Sequence, residues 1–305
     1  MAHWITYLSP AVARERAGLV VGTEVHGFDE SLLALLESDG GLAAAAGRTP
    51  AETLPLAEVT LRAPIPRPPS VRDFLAFEEH LRNALAGLGR TDVPAVWFDQ
   101  PVFYFSNPAA IRGPGVSIPI SPGSTRFDYE VEVAAVVGKA GSNLSPEEAE
   151  GHIAGYTILC DWSARDLQAT ESAVGLGPAK GKDGATSLGP FLVTPDELAR
   201  YRSGRGFDLR MRAVVNGREY GGGLWSSIHW SFPQMLAFAS RGTELRPGDV
   251  IGSGTVGTGC LLELSHLHGS EAYPWLAAGD RVSIEVERLG ALTARIAPAP
   301  AVVPL

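Results

Sequence analysis

Cysteine is nearly absent from this sequence of 305 residues: only Cys160 and Cys260 occur, far apart and both inside apolar stretches. That count makes neither a disulfide scaffold nor a thiolate zinc site. Positive charge is also scarce. Lys and Arg total 25 against 34 Asp and Glu, a formal charge of −9. An acidic surface repels a phosphate backbone, and no basic run interleaved with aromatics offsets it, which excludes a nucleic-acid partner. No window offers 18 uninterrupted apolar residues, so no transmembrane helix is expected. The start, MAHWITYLSP, lacks the basic-then-apolar layout of a secretory leader. Charged residues are too few, at 19%, for a disordered chain, and 45% apolar residues suffice for a sizeable core. The expectation is a soluble cytoplasmic protein without a membrane partner.

Glycine (35) and proline (23) are plentiful. Together they far exceed the roughly 12% of average usage, with no Gly-X-Y period. Many turns and short strands follow, and long helical bundles are excluded. Residues 1–64 read as a small α+β module, with strands at 4–8, 18–25 and 57–62 and a short helix at 30–37. The four prolines between Ala63 and Ser70 force an extended path and mark a boundary, with residues 65–305 as the catalytic domain. Ser70 followed by Asp73 approximates a capping box, and the spacing of Phe74, Phe77 and Leu81 predicts a helix carrying Asp73 and His80 on one face. Further helices start at Ser145 and Ser231. Strands are expected at 128–138, 249–251 and 281–287, with a hairpin at 212–220 over Asn216-Gly217. Strands outnumber helices without alternating with them, so the fold class is mostly β with α, an α+β arrangement.

The segment Phe127-Asp-Tyr-Glu130-Val-Glu132-Val-Ala-Ala-Val-Val-Gly138 carries the clearest chemistry. Glu130 and Glu132 share one strand face, and both faces are otherwise apolar, the pattern of a buried strand. Carboxylates there stay ionised only beside strong cations or a metal; the alternative is a sheet edge where both face water. Asp161 ends an apolar run and is either a helix N-cap or a functional acid. Arg165 either pairs with a surface acid or serves a site. His80 needs a partner for its ring nitrogens. Gly252-Ser-Gly254-Thr-Val-Gly257 matches a dinucleotide fingerprint, but an apolar run instead of a helix is expected to follow, which disfavours nucleotide binding. His266 and His268 on a strand lack a third soft ligand and read as surface residues.

Three motifs together resemble the fumarylacetoacetate hydrolase family over residues from about 65 to 290: Asp128-Tyr-Glu130-Val-Glu132, Asp161-Trp-Ser-Ala-Arg165-Asp-Leu-Gln168, and Ser253-Gly-Thr255-Val-Gly257 before Leu262-Glu263-Leu264. The resemblance implies a β-rich roll with a variable N-terminal module, usually a homodimer. It implies that Glu130, Glu132 and Asp161 bind a divalent metal, with Asp73 as a fourth ligand in the hydrolase branch. His80 resembles that branch's water-activating histidine and Glu263 its partner. Lys182 resembles the lysine at the substrate carbonyl, with Lys180 a close neighbour. Arg165, Gln168, Tyr104 and Thr255 resemble substrate contacts. Leu75 stands where that branch usually has a substrate-contacting Tyr, and Cys160 where Asn often precedes the metal Asp, which implies an altered pocket.

An all-oxygen site of this kind suits Mg²⁺, Mn²⁺ or Ca²⁺. The expected function is metal-dependent C–C hydrolysis of a β-diketone or acylpyruvate-like small-molecule substrate. The alternatives are a decarboxylase, tautomerase or hydratase on a smaller 2-oxo acid, or a non-catalytic metal-stabilised scaffold.

Overall fold

The computed structural model describes residues 2–87 and 89–304. Its spine is the strand Glu132–Val137, buried at every position. Val133, Ala135 and Val137 feed one apolar core, while Ala134 and Val136 feed a second on the opposite side. Period-two alternation with apolar residues on both faces produces this double burial, each valine contributing about 1.5–3 kcal/mol. Ile153–Asp161 and Val250–Gly252 flank the spine. Beyond Val250–Gly252 come Val71–Phe74, in parallel, and Phe103–Ser106. Beyond Ile153–Asp161 lies Thr186–Val193, which pairs with His3–Leu8. The twelve-stranded sheet therefore runs on from the second half of the chain into residues before the proline run. A five-stranded sheet, centred on Arg210–Val215 and Arg281–Val286, covers the first core. The result is a mixed α+β fold, mostly strands. Among the described residues, no helix is long and apolar enough to cross a membrane.

Several elements differ from the sequence expectation. Residues 18–25 are not one strand: Gly22, at φ +63°, turns the chain between Glu15–Val21 and Glu24–Gly27. Only Thr60–Leu61 of the 57–62 segment pairs as a strand. The helix expected from Ser70 starts at Glu78, because Val71–Phe74 finds strand partners on both sides and ladder bonds outweigh helical spacing. Asp73 therefore leaves from a strand and His80 from a helix.

A helix, Leu261–His268, does follow the glycine-rich stretch. Leu and Glu are good helix formers, which makes the short apolar run ambiguous in sequence. Its leading amides, those of Leu261 and Leu262, already donate to the Asp128 carboxylate at 2.7 and 3.0 Å, so they offer a phosphate nothing. His266 and His268 sit exposed on this helix, not on a strand, roughly 200° apart around its axis. The helices at Pro146–Glu150 and Phe232–Ala239 have the expected N-caps, each a full capping box.

Candidate active site

Four acids converge where the strands end. Asp73 comes from Val71–Phe74, Glu132 opens the spine strand, Glu130 bridges to Cys260 just before it, and Asp161 closes Ile153–Asp161. All four are buried. Carboxylate oxygens of Asp73, Glu130 and Glu132 lie within 4.8 Å of one another. The glycine-rich stretch makes room for them: a Cβ on Gly252 would come within 2.4 Å of Asp73 Oδ1. Gly254, at φ +75°, turns its amide to donate to Asp73 Oδ1 at 3.2 Å. The apparent nucleotide fingerprint is thus an acid cradle.

The site's own cations are unevenly spent. Lys182 Nζ contacts Glu130 Oε2 at 2.6 Å and Asp161 Oδ2 at 2.9 Å. Arg165 pairs with Glu130 Oε1 and Asp128 Oδ2, both at 2.8 Å, and donates to Gln168 Oε1 at 3.2 Å. The Tyr104 hydroxyl spans Asp73 Oδ2, at 3.1 Å, and Asp161 Oδ2. Glu132 receives a 3.4 Å contact from Thr255 Oγ1 and lies against Asp73, while among the described residues its Oε2 and Asp161 Oδ1 have no hydrogen-bond partner. Of the two lysines, Lys182 is buried in the site; Lys180 is exposed and pairs with Asp183. Glu171 fixes the intervening turn by accepting from the amides of Ala179, Lys180 and Gly181.

Ionisation follows this unevenness. Burial, then the charges of Asp161 and Glu130, push Asp73 up to about 7. Asp161 rises to about 6, mainly through burial, with Lys182 opposing. Glu132 is pushed well above the carboxylate range by burial and by Asp73. Burial also works against Glu130, but Lys182 and Arg165 overcome it and hold that carboxyl well below its usual value. The Asp73–Glu130–Glu132 cluster is a hard, all-oxygen donor set that could hold a divalent ion, and Asp161, joined to it through Lys182 and Tyr104 and carrying an orphaned oxygen as Glu132 does, could add a fourth ligand.

Beside the acids, His80 Nδ1 meets Glu263 Oε2 at 2.8 Å. The other oxygen of Glu263 accepts from Asn83 Nδ2 at 2.9 Å and from the Thr258 amide at 3.0 Å. The Cys260 thiol donates to Glu263 Oε2 at 3.3 Å. Burial disfavours the Glu263 charge, yet His80 and these donors keep its carboxyl below the usual range. His80 is close enough to Glu130 for its charge to act on that carboxylate. With Nδ1 engaged, Nε2 is the nitrogen left to exchange a proton.

The structure gathers Asp73, His80, Tyr104, Glu130, Glu132, Asp161, Arg165, Gln168, Lys182, Thr255 and Glu263 into one connected region. Leu75 is half-buried and packs on Leu81, Leu85 and Trp97. Sequence reasoning gave no role to Asn83, Cys260 or Asp128. Asn83 follows His80 by three residues, which puts both on one helix face, and that spacing was the available signal. Asp128 lies inside a motif already quoted, but its double duty toward Arg165 and the Leu261–His268 helix needed the tertiary structure.

A family model described as fumarylacetoacetate (FAA) hydrolase, C-terminal, matches residues 70–297. The chain is 30% identical over 244 residues to the oxaloacetate tautomerase YisK of Bacillus subtilis (strain 168), spanning 79% of this chain and 74% of that protein. It is also 30% identical over 245 residues to the mitochondrial oxaloacetate tautomerase FAHD2A of Homo sapiens, spanning 80% and 71%. The crystal structure of 2-hydroxyhepta-2,4-diene-1,7-dioate isomerase from Mycobacterium marinum matches with a TM-score of 0.72 at 25% identity, covering 98% of this chain and 99% of that one.

Proposed function

The chain belongs to the fumarylacetoacetate hydrolase family, and we propose that it is a divalent-metal-dependent hydrolase cleaving a C–C bond of a 1,3-diketone or acylpyruvate-like 2-oxo acid. The observation that carries this reading is the His80–Glu263 pair beside the acid cluster. Asp73, Glu130, Glu132 and Asp161 would hold Mg²⁺, Mn²⁺ or Ca²⁺. When bound, such an ion supplies Lewis-acid stabilisation of charge developing on substrate oxygens. Glu263 fixes the His80 tautomer and stabilises the imidazolium that forms as His80 takes a proton from water. Water then attacks the carbonyl remote from the carboxylate, the C–C bond breaks with its electron pair leaving on the departing enolate, and the His80 imidazolium returns its proton to the enolate carbon. Lys182 spends two contacts on Glu130 and Asp161, which leaves a third N–H for a substrate carbonyl oxygen. Arg165 and Gln168, hydrogen-bonded together, would orient a polar end of the substrate.

A second reading is a tautomerase that interconverts the keto and enol forms of a small 2-oxo acid. The names of the bacterial and human relatives support it. Tautomerisation moves a proton between carbon and oxygen and consumes no water. The test incubates the purified protein, with Mg²⁺ or Mn²⁺, on acylpyruvates and on oxaloacetate. Cleavage to two smaller acids, read by mass, supports hydrolysis. Accelerated enol decay of oxaloacetate without cleavage of any diketo acid supports the tautomerase and overturns the hydrolase.

A further inference from the structure

Cys260 brings a soft donor to a pair that the proposed chemistry uses only for proton transfer. One ligand atom each from His80, Cys260 and Glu263 lies within 4.8 Å of the other two, and all three residues are buried. The contacts centre on Glu263 Oε2, 2.8 Å from His80 Nδ1 and 3.3 Å from Cys260 Sγ. This cluster shares no residue with Asp73, Glu130, Glu132 and Asp161, and its nitrogen, sulfur and oxygen donors contrast with their all-oxygen set. We propose that His80, Cys260 and Glu263 form a second metal site, selective for a thiophilic divalent cation such as Zn²⁺, that captures the His80–Glu263 pair.

Two of the three donor separations ask for little movement, and the third, His80 nitrogen to Cys260 sulfur, lies within 4.8 Å. Tetrahedral zinc with N, O and S ligands at about 2.0–2.3 Å places its donor atoms about 3.3–3.7 Å apart. The sulfur-to-oxygen separation of 3.3 Å must open by about 0.2 Å, and the nitrogen-to-oxygen separation of 2.8 Å by about half an ångström. Three protein ligands leave a fourth position for water. Charge balances as well. Glu263 brings a carboxylate, Cys260 loses its thiol proton to solvent, and His80 ligates as neutral imidazole, moving its Nδ1 proton to Nε2 if Nδ1 is the ligand. One proton is released per ion, and the site passes from a single net negative charge, that of the buried Glu263 carboxylate, to neutral, a dication against two anionic ligands. Hard and soft preferences separate the two sites, since carboxylate oxygens favour Mg²⁺ or Ca²⁺ and the thiolate–imidazole pair favours zinc.

Binding at this site does not depend on which reaction the enzyme catalyses. Inhibition of hydrolysis by zinc rests on the functional reading above, because it requires His80 to be the base. The decisive experiment titrates the full chain with Co²⁺, then Zn²⁺, under saturating Mg²⁺. One cobalt per chain is expected, with an intense thiolate-to-cobalt charge-transfer band that zinc abolishes. The band should survive Cys160→Ser and vanish in Cys260→Ser, a near-isosteric change that keeps a donor to Glu263. X-ray absorption of the unmodified zinc protein should show one sulfur among nitrogen and oxygen neighbours, a readout that needs no variant to fold. Absence of sulfur from the zinc shell, or a charge-transfer band that persists in Cys260→Ser, overturns the site. If the band behaves as expected while zinc leaves turnover untouched, the site stands and the assignment of His80 as base fails.

Discussion

Glu130 and Glu132 stand two residues apart with carboxylate oxygens within 4.8 Å, yet their surroundings drive them in opposite directions. Glu130 is clamped by Lys182 and Arg165 and stays ionised, whereas Glu132 faces Thr255 and Asp73, with no cation paired to it among the described residues, and is driven toward protonation. Substitution should expose the difference. In metal-free protein, Glu130→Gln leaves Lys182 and Arg165 facing a neutral amide and should destabilise by about 3–5 kcal/mol, the cost of breaking a buried pair. Glu132→Gln replaces a side chain that is already largely neutral and should leave metal-free stability near the parent. With Mg²⁺ or Mn²⁺ added, the parent should melt higher and Glu132→Gln should gain much less. Thermal melts with chelator and with metal check both; equal loss from the two variants in chelator would contradict the asymmetry.

The raised carboxyls give a pH signature. Asp73 at about 7 and Asp161 at about 6 bind protons more tightly in the folded state than in the unfolded chain. Their contribution to metal-free stability is full below the ordinary carboxylate range and is lost as pH rises through 6 and 7. Divalent ion binding displaces those same protons, so apparent affinity should rise with pH over that window, by up to tenfold per unit for each proton released. Calorimetric titration in buffers of different ionisation heats counts the protons. An affinity flat from pH 5.5 to about 7.5 would count against the four acids as ligands.

Asn83 holds Glu263 from the helix that carries His80. Removing a hydrogen bond to a buried carboxylate costs about 1.5–3 kcal/mol. If the pair works as a base, Asn83→Ala should lower kcat by about 10–100-fold through a misoriented His80, while divalent ion affinity stays within a few-fold of the parent. The low-pH limb of the pH–rate profile, where protonation of a general base lowers the rate, should also shift. A structural role alone would lower the melting temperature and leave that limb in place.

How far the sequence discloses this site depends on how local the signal is. Glu130 and Glu132 are legible because a period-two pattern puts both on one face of a strand that is apolar elsewhere. Asp73 was noticed but given a helical setting, since nothing local to Val71–Phe74 reveals that two strands wait to pair with it. His80 and Glu263 meet across a separation of 183 residues, so their pairing came from family resemblance and not from spacing. The glycines at 252 and 254 match a nucleotide fingerprint that the sequence context disfavours, but their use as room for Asp73 is not legible, because sequence records the missing Cβ and not the neighbour that needs the space.

Leu75 packs on an apolar cluster with Leu81, Leu85 and Trp97 where the hydrolase branch usually carries a phenol. A site without that hydroxyl should favour substrates with an alkyl or aryl group over those that rely on a hydrogen bond there. Leu75→Tyr should reverse the ranking in kcat/KM. Turnover of fumarylacetoacetate by the parent faster than any alkyl- or aryl-substituted diketo acid would contradict this reading.

The sharpest division between hydrolase and tautomerase lies in the water. Attack on carbon needs a base for the water proton, and in the proposed hydrolase that base is His80, hydrogen-bonded to Glu263. His80→Ala should therefore cost hydrolysis on the order of 10²–10⁴-fold. Metal affinity should persist, because His80 is not among the four acids proposed as hard-ion ligands. Glu132→Ala should remove metal affinity and activity together, whichever reaction is catalysed. The comparison of these two variants on one active substrate separates the roles. Near-full cleavage by His80→Ala alongside an inactive Glu132→Ala would make the His80–Glu263 contact a structural hydrogen bond. Enol chemistry without an attacking water, as in the tautomerase reading, would then account for the site better than hydrolysis.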